Sequence, residues 1–247
     1  MGLFDIFSRK KPDAKLFYHT DVHCHILPGV DHGSPDVVHS IEMLRAELDM
    51  GIDRVMLTSH VTAETFENTS ASLTAAYELL CAAVKDAGLP VELYVSAEYR
   101  MDDYWDRLWA AGDVLPLPGK FLLLENSFQQ ERLGLEPLIY ELRTKGYIPI
   151  LAHPERYGYY GMRTTRYASL HDAGAKFQVN ILSLAGYFGK HTREAAVWLI
   201  KNGLVDMLGS DMHNIEHAHI IKDYLRTRDW QKLRAIVEND IINDRVR

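Results

Sequence analysis

The chain has 247 residues, 47% of them apolar and 25% charged, and a formal net charge of −7, enough length for a sizeable core within one barrel-sized domain. The acidic balance excludes a general nucleic-acid binder, which needs a basic face to neutralise phosphates. Two cysteines make no disulfide framework, no apolar run reaches the roughly 18 residues of a membrane span, and the start has no signal-peptide pattern, so a reducing cytoplasm is the expected location.

Residues 1–15 place Leu3, Phe4, Ile6 and Phe7 beside Arg9, Lys10 and Lys11. They read as a loose tail able to touch a membrane surface transiently. Ile6 stands where a myristoylation signal requires Ser or Thr. Residues 16–247 read as one domain. Its first strand is expected at Phe17–Val22, followed by a helix that starts at Ser34-Pro35-Asp36. There Ser34 reads as the N-cap, Pro35 as the first helical residue and Asp36 as an early acid, with Gly51 ending the helix after about Met50.

Strands are then expected at Asp53–Thr58, Val91–Ala97, Phe121–Glu125, Ile148–Ala152, Lys176–Asn180 and Val205–Gly209. Helical periodicity fills Thr69–Ala87, Asp102–Ala111, Leu135–Lys145, Thr164–Ala173, His191–Asn202 and Trp230–Ile242. Gly88, Gly112, Gly146, Gly174 and Gly203 stand where helices close on a left-handed residue. This alternation predicts an α/β fold, a distorted (β/α)7-type TIM-like barrel. An open doubly wound sheet is the alternative, because alternation alone does not prove closure.

The chemistry-bearing residues recur at strand ends. His23 and His25 flank Cys24, and residues two apart on a strand share a face, so both imidazoles reach one site. Reading the end of each later strand gives His60 at the second, Glu98 at the third, Glu125 after Leu122-Leu123-Leu124 at the fourth and His153 at the fifth, and then Asp211 with His213 at the seventh. In a β/α barrel these positions meet at one rim, where active sites form. Imidazoles mixed with carboxylates suit divalent ions such as Zn, Mn or Fe. Glu125 directly follows three leucines, and burying its charge is costly unless a cation neutralises it.

Asp31 and His32 lie in the loop after the first strand, and either could fold back onto the site. Arg156, three residues past His153, offers a permanent planar cation to a phosphate oxygen. Tyr157, Tyr159 and Tyr160 read equally as an aromatic wall for a ring-bearing substrate or as loop packing. His19, His39, His171, His191 and His219 read as surface or packing residues, and His217 stays unassigned.

The sequences His23-Cys24-His25-Ile26-Leu27-Pro28-Gly29-Val30-Asp31, Ala97-Glu98-Tyr99, Ala152-His153-Pro154-Glu155-Arg156-Tyr157 and Gly209-Ser210-Asp211-Met212-His213-Asn214 resemble the polymerase-and-histidinol-phosphatase superfamily. Within it they are most similar to the capsule-associated bacterial tyrosine-protein phosphatases of the CpsB/YwqE type, from about Phe17 to about Ile221. The resemblance implies a centre of two or three divalent ions, manganese foremost, and phosphotyrosine hydrolysis by metal-activated water. It carries ligand roles to His23, His25, His60, Glu98, Glu125, His153, Asp211 and His213, and phosphate binding to Arg156. Asp211 and His213 are expected to manage protons there.

Two departures stand out. The family reads Asp-Asp-Gly where this chain has Asp31-His32-Gly33, and His32 is expected to serve as the ligand in place of aspartate. A second arginine expected after the Asp-x-His motif is missing, with Ala218 near its place. The implied partner is a phosphotyrosine protein, the tail of a bacterial tyrosine kinase of capsular or exopolysaccharide synthesis.

Rival readings are a small-metabolite phosphatase acting on histidinol phosphate or a sugar phosphate, an amidohydrolase, and a catalytically weak docking module. Cysteine-dependent phosphatase chemistry needs an Arg six residues after the Cys, and Val30 and Ala87 stand there instead. Serine-hydrolase, dinucleotide and P-loop signatures are absent from the sequence.

Overall fold

A computed structural model describes residues 14–161 and 164–247. The expected tail, residues 1–15, lies outside the described residues except for Ala14 and Lys15. Ala14 is buried, and the Leu16 N–H donates to Met50 O at 2.8 Å.

Seven strands alternate with helices: β1 (Thr20–Cys24), α1 (Val37–Asp49), β2 (Arg54–Val61), α2 (Ser70–Asp86), β3 (Glu92–Arg100), α3 (Asp103–Ala111), β4 (Phe121–Glu125), α4 (Leu135–Thr144), β5 (Ile148–Ala152), α5 (Thr164–Asp172), β6 (Lys176–Asn180), α6 (Ile181–Ala185), α7 (Lys190–Lys201), β7 (Met207–Gly209), α8 (Ile215–Leu225) and α9 (Arg228–Val237). The strands form one sheet in the order β1 to β7, each parallel to the next.

Residues just past β7 pair with β1. The Asp211 N–H donates to His23 O at 2.8 Å and the His25 N–H to Met212 O at 2.9 Å, beside a parallel Cys24–Met212 bridge. The sheet is therefore a nearly closed barrel, and the open-sheet alternative falls. At the opposite end Asn243 joins the same two strands, donating from Nδ2 to Thr20 O and Leu208 O and accepting the Leu208 N–H.

Strand alternation divides the core. Met56, Leu123, Ile150 and Met207 pack inside the barrel, whereas Leu57, Leu122, Leu124 and Leu151 face the helices. Leu123 thus shares its face with Glu125, which explains a carboxylate behind three leucines. In β1 the register shifts between Asp21 and Cys24. Val22 packs inside the barrel, yet Cys24 joins the helix-facing core, so the irregularity turns His23 and His25 inward.

Three expectations need correction. Asp36, not Ser34, caps α1, accepting the His39 N–H at 3.0 Å, because the Ser34 hydroxyl is engaged by Ser40 at 2.8 Å. β1 begins at Thr20 and carries His23 within it. The last helix starts at Arg228 behind a Thr227 cap and ends at Val237. The helices α6 and α8 were not anticipated. α8 buries Ala218, Ile221 and Leu225, but its first turns carry His217 and His219, which blur the apolar stripe. No described helix is long and apolar enough to cross a membrane.

Candidate metal centre

The C-terminal ends of the strands bring eight of the sequence-selected residues into one cluster. Nε2 of His23 and Nε2 of His25 lie 3.2 Å apart. Around them stand Oε2 of Glu98, at 3.4 and 3.5 Å, and Oδ1 of Asp211, at 3.5 and 3.3 Å. His60 Nδ1 is 3.0 Å from Glu98 Oε2, and His153 Nε2 is 2.8 Å from Glu98 Oε1 and 3.6 Å from Glu125 Oε1. Donor atoms gather in four overlapping groups: His25 with His60 and His213, His23 with Glu98 and His153, His23 with His25 and Asp211, and His60 with Glu98 and Glu125. Each group could hold a divalent ion.

The outer atoms decide which nitrogens face inward. His23 Nδ1 meets Gln178 Oε1 at 2.7 Å, and His25 Nδ1 meets Asp31 Oδ2 at 2.9 Å. His213 Nδ1 lies 2.9 Å from the Asp211 carbonyl. An Nδ1–H donated to each acceptor leaves the Nε2 lone pair free for a cation. Asp211 Oδ2 accepts from Asn180 Nδ2 at 2.6 Å and from Arg156 Nη1 at 2.8 Å, so Oδ1 remains for the cluster. Glu98 Oε2 is buried and, among the described residues, receives no hydrogen bond. An anion left so exposed to imidazole lone pairs fits a cation bound between them.

The electrostatics point the same way. Burial works against charging His23, but Glu98 and Asp211 outweigh it and raise its pKa to about 9. His25 is raised too, with Asp31 opposing the cost of burial. Burial and the neighbouring Glu98 charge push Glu125 up to about 8. Burial and the Arg156 charge pull His153 down to about 4. The carboxylates that favour charged imidazoles at His23 and His25 would equally favour a bound cation.

Local backbone holds this geometry. His153 and Asp211 adopt left-handed conformations, with φ of 33° and 49°, a cost that functional sites tolerate when their surroundings enforce it. At Gly209 a Cβ would come within 2.6 Å of Gln178 Nε2 and 2.9 Å of His23 Cβ, so only glycine lets β7 approach the ligand wall.

The loop question has a divided answer. Asp31 turns fully inward, holding His25 and accepting the His60 N–H at 2.9 Å and the Gly33 N–H at 2.9 Å. His32 stacks 4.8 Å from the His60 ring and 4.6 Å from the His213 ring, outside the four donor groups. Tyr157 is buried, and its hydroxyl donates to Ala152 O and accepts the Asn126 N–H, both at 2.9 Å. Phe128, by contrast, is exposed and stacks on His153 with centroids 5.8 Å apart. His217 braces His213, accepting its N–H at 3.3 Å. Ala218 is buried in α8, so no arginine stands at that position. His19, His39 and His171 pair with acids away from the cluster, and His191 is exposed.

Sequence reasoning missed Gln178, Asn180 and Phe128. Gln178 and Asn180 lie two apart on β6, the same spacing that singled out His23 and His25, but amides do not advertise metal chemistry.

A seven-stranded β/α barrel with a rim cluster of imidazoles and carboxylates able to bind metal defines the class of protein. The chain belongs to the CpsB/CapC family of capsular polysaccharide synthesis, whose model matches residues 19–223. It is 33% identical over 197 residues to tyrosine-protein phosphatase YwqE of Bacillus subtilis, covering 79% of this chain and 78% of that protein. It is 25% identical over 206 residues to tyrosine-protein phosphatase CpsB of Streptococcus pneumoniae, covering 79% and 83%. A chain from the crystal structures of YwqE from Bacillus subtilis and CpsB from Streptococcus pneumoniae, described as unique metal-dependent tyrosine phosphatases, superposes with a TM-score of 0.75. That match has 29% identity and covers 90% of this chain and 96% of the other.

Proposed function

We propose that the protein is a metal-dependent protein-tyrosine phosphatase, hydrolysing phosphotyrosine on a bacterial tyrosine kinase of capsular or exopolysaccharide synthesis in the cytoplasm. The observation that carries this reading is one guanidinium at the cluster: Arg156 Nη1 lies 2.8 Å from Asp211 Oδ2, at the mouth of four metal-competent donor groups. A permanent cation beside a divalent-ion site is the arrangement a phosphoryl group needs.

His23, His25, His60, Glu98, Glu125, His153, Asp211 and His213 would hold two or three divalent ions, with His32 as an outer ligand. Manganese is our first choice, with iron and zinc as alternatives. Such ions act as Lewis acids and lower the pKa of water toward neutrality.

Arg156 binds a phosphoryl oxygen, and its planar face is held between Phe128 and Phe188, with Cζ 4.8 and 4.0 Å from their centroids. Asp211 orients Arg156 and, with His213, handles the proton of the leaving group. Tyr157 acts as the packed base of the Phe128 wall, not through its hydroxyl. The test compares phosphate release from a phosphotyrosine peptide and from histidinol phosphate, in wild type and His153→Ala. Faster peptide hydrolysis, lost in the variant, is expected. Preference for histidinol phosphate would move the function to small metabolites.

A further inference from the structure

We propose that Arg100 is a second phosphate-positioning residue, gripping the substrate phosphoryl group in the cavity it shares with His32 and Glu125. The inference rests on the phosphatase reading of the site. Arg100 ends β3 two residues after Glu98, so its side chain leaves the strand on the same inward face, and it is paired in register with Glu125. A cavity of about 300 Å³ at the cluster is lined by His32, His60, Phe66, Arg100, Glu125 and Phe128.

The two guanidiniums at this rim differ in their engagements. Arg156 is committed to Asp211 at 2.8 Å. Arg100 has, among the described residues, no carboxylate within ion-pair distance, and its Cζ stands 6.0 Å from the Phe128 centroid. Phe128 therefore carries one cation at 4.8 Å and another at 6.0 Å. A half-buried arginine without a partner beside a cavity floored by metal-competent carboxylates fits an incoming dianion that arrives with the substrate.

The experiment uses the manganese-loaded full chain as wild type, Arg100→Ala and Arg100→Lys. Inorganic phosphate binding is measured by calorimetry, kcat and KM on a phosphotyrosine peptide by steady-state kinetics, and bound metal by mass spectrometry. Arg100→Ala should weaken phosphate binding and raise KM, each about tenfold, with metal content unchanged and partial recovery in Arg100→Lys. Phosphate affinity within about twofold of wild type would overturn the proposal. So would a parallel loss of metal, which would make Arg100 a counter-charge for Glu125. If wild type binds phosphate through Arg100 but leaves the peptide intact, this inference stands and the tyrosine-phosphatase reading fails.

Discussion

Oδ2 of Asp31 lies 2.9 Å from Nδ1 of His25, and this contact sets which nitrogen of the imidazole enters the cluster. A carboxylate that receives Nδ1–H fixes the ring and raises the basicity of Nε2. Asp31→Ala should lower metal affinity by about 10–100-fold, measured by competition with a chromogenic chelator. Unchanged affinity would show that His25 is oriented without Asp31.

His32 touches the cluster only through its neighbours, stacking on His60 and His213. His32→Ala should therefore cost at most one ion per chain, the weakest held, while the rest of the metal stays bound. His32→Asp should retain that ion, because a carboxylate brings charge as well as a donor. Metal counting by mass spectrometry checks both variants. Loss of all metal in His32→Ala would place this residue at the heart of the site.

Arg156 is held by Asp211 and two phenylalanine rings. Arg156→Ala should lower kcat/KM on a phosphotyrosine peptide by about 10²–10³-fold, the usual loss for one charge-stabilising donor. Arg156→Lys should recover only part, because an ammonium cannot reproduce the planar fork. Steady-state kinetics at equal metal content decides it, and full activity in the lysine variant would contradict a role for the planar guanidinium.

Away from the cluster, Asp206 ties β6 to β7. Burial would raise its pKa, but hydrogen bonds from His171, Lys176 Nζ and the Phe177 N–H outweigh that and lower it. A carboxylate depressed on folding stabilises above its unfolded value of about 3.9, and the gain is lost as pH falls through the folded value. Asp206→Asn should cost about 2 kcal/mol near neutral pH, with the difference shrinking progressively once pH drops below about 4. Urea unfolding across that range tests it, and a constant difference would refute the linkage.

Much of this was legible in the sequence, and what was missed has physical causes. β4, β5 and β6 match their expected bounds because Phe121–Glu125, Ile148–Ala152 and Lys176–Asn180 are short runs bounded by turn residues. β1 shifted because its register irregularity breaks the simple alternation on which sequence reading depends. His23, His25, His60, Glu98, Glu125, His153, Asp211 and His213 stood out because each lies at or just past the C-terminal end of an apolar run. The supporting shell was hidden. Gln178 and Asn180 are ordinary amides until β6 sets them against His23 and Asp211, and Phe128 gains meaning only when its loop lays it over His153. Tyr157, prominent as one of three clustered tyrosines, is buried, with its hydroxyl engaged by the Ala152 carbonyl and the Asn126 N–H.

The most direct test of the central claim is chelation followed by reconstitution, reading phosphate release from a phosphotyrosine peptide and bound metal in the same samples. The protein should lose activity with its metal and regain both when manganese returns, whereas His153→Ala, deprived of the imidazole that meets Glu98 and Glu125, should not recover activity. Undiminished hydrolysis by the metal-free protein, or metal that rebinds fully without restoring hydrolysis in wild type, would contradict the account.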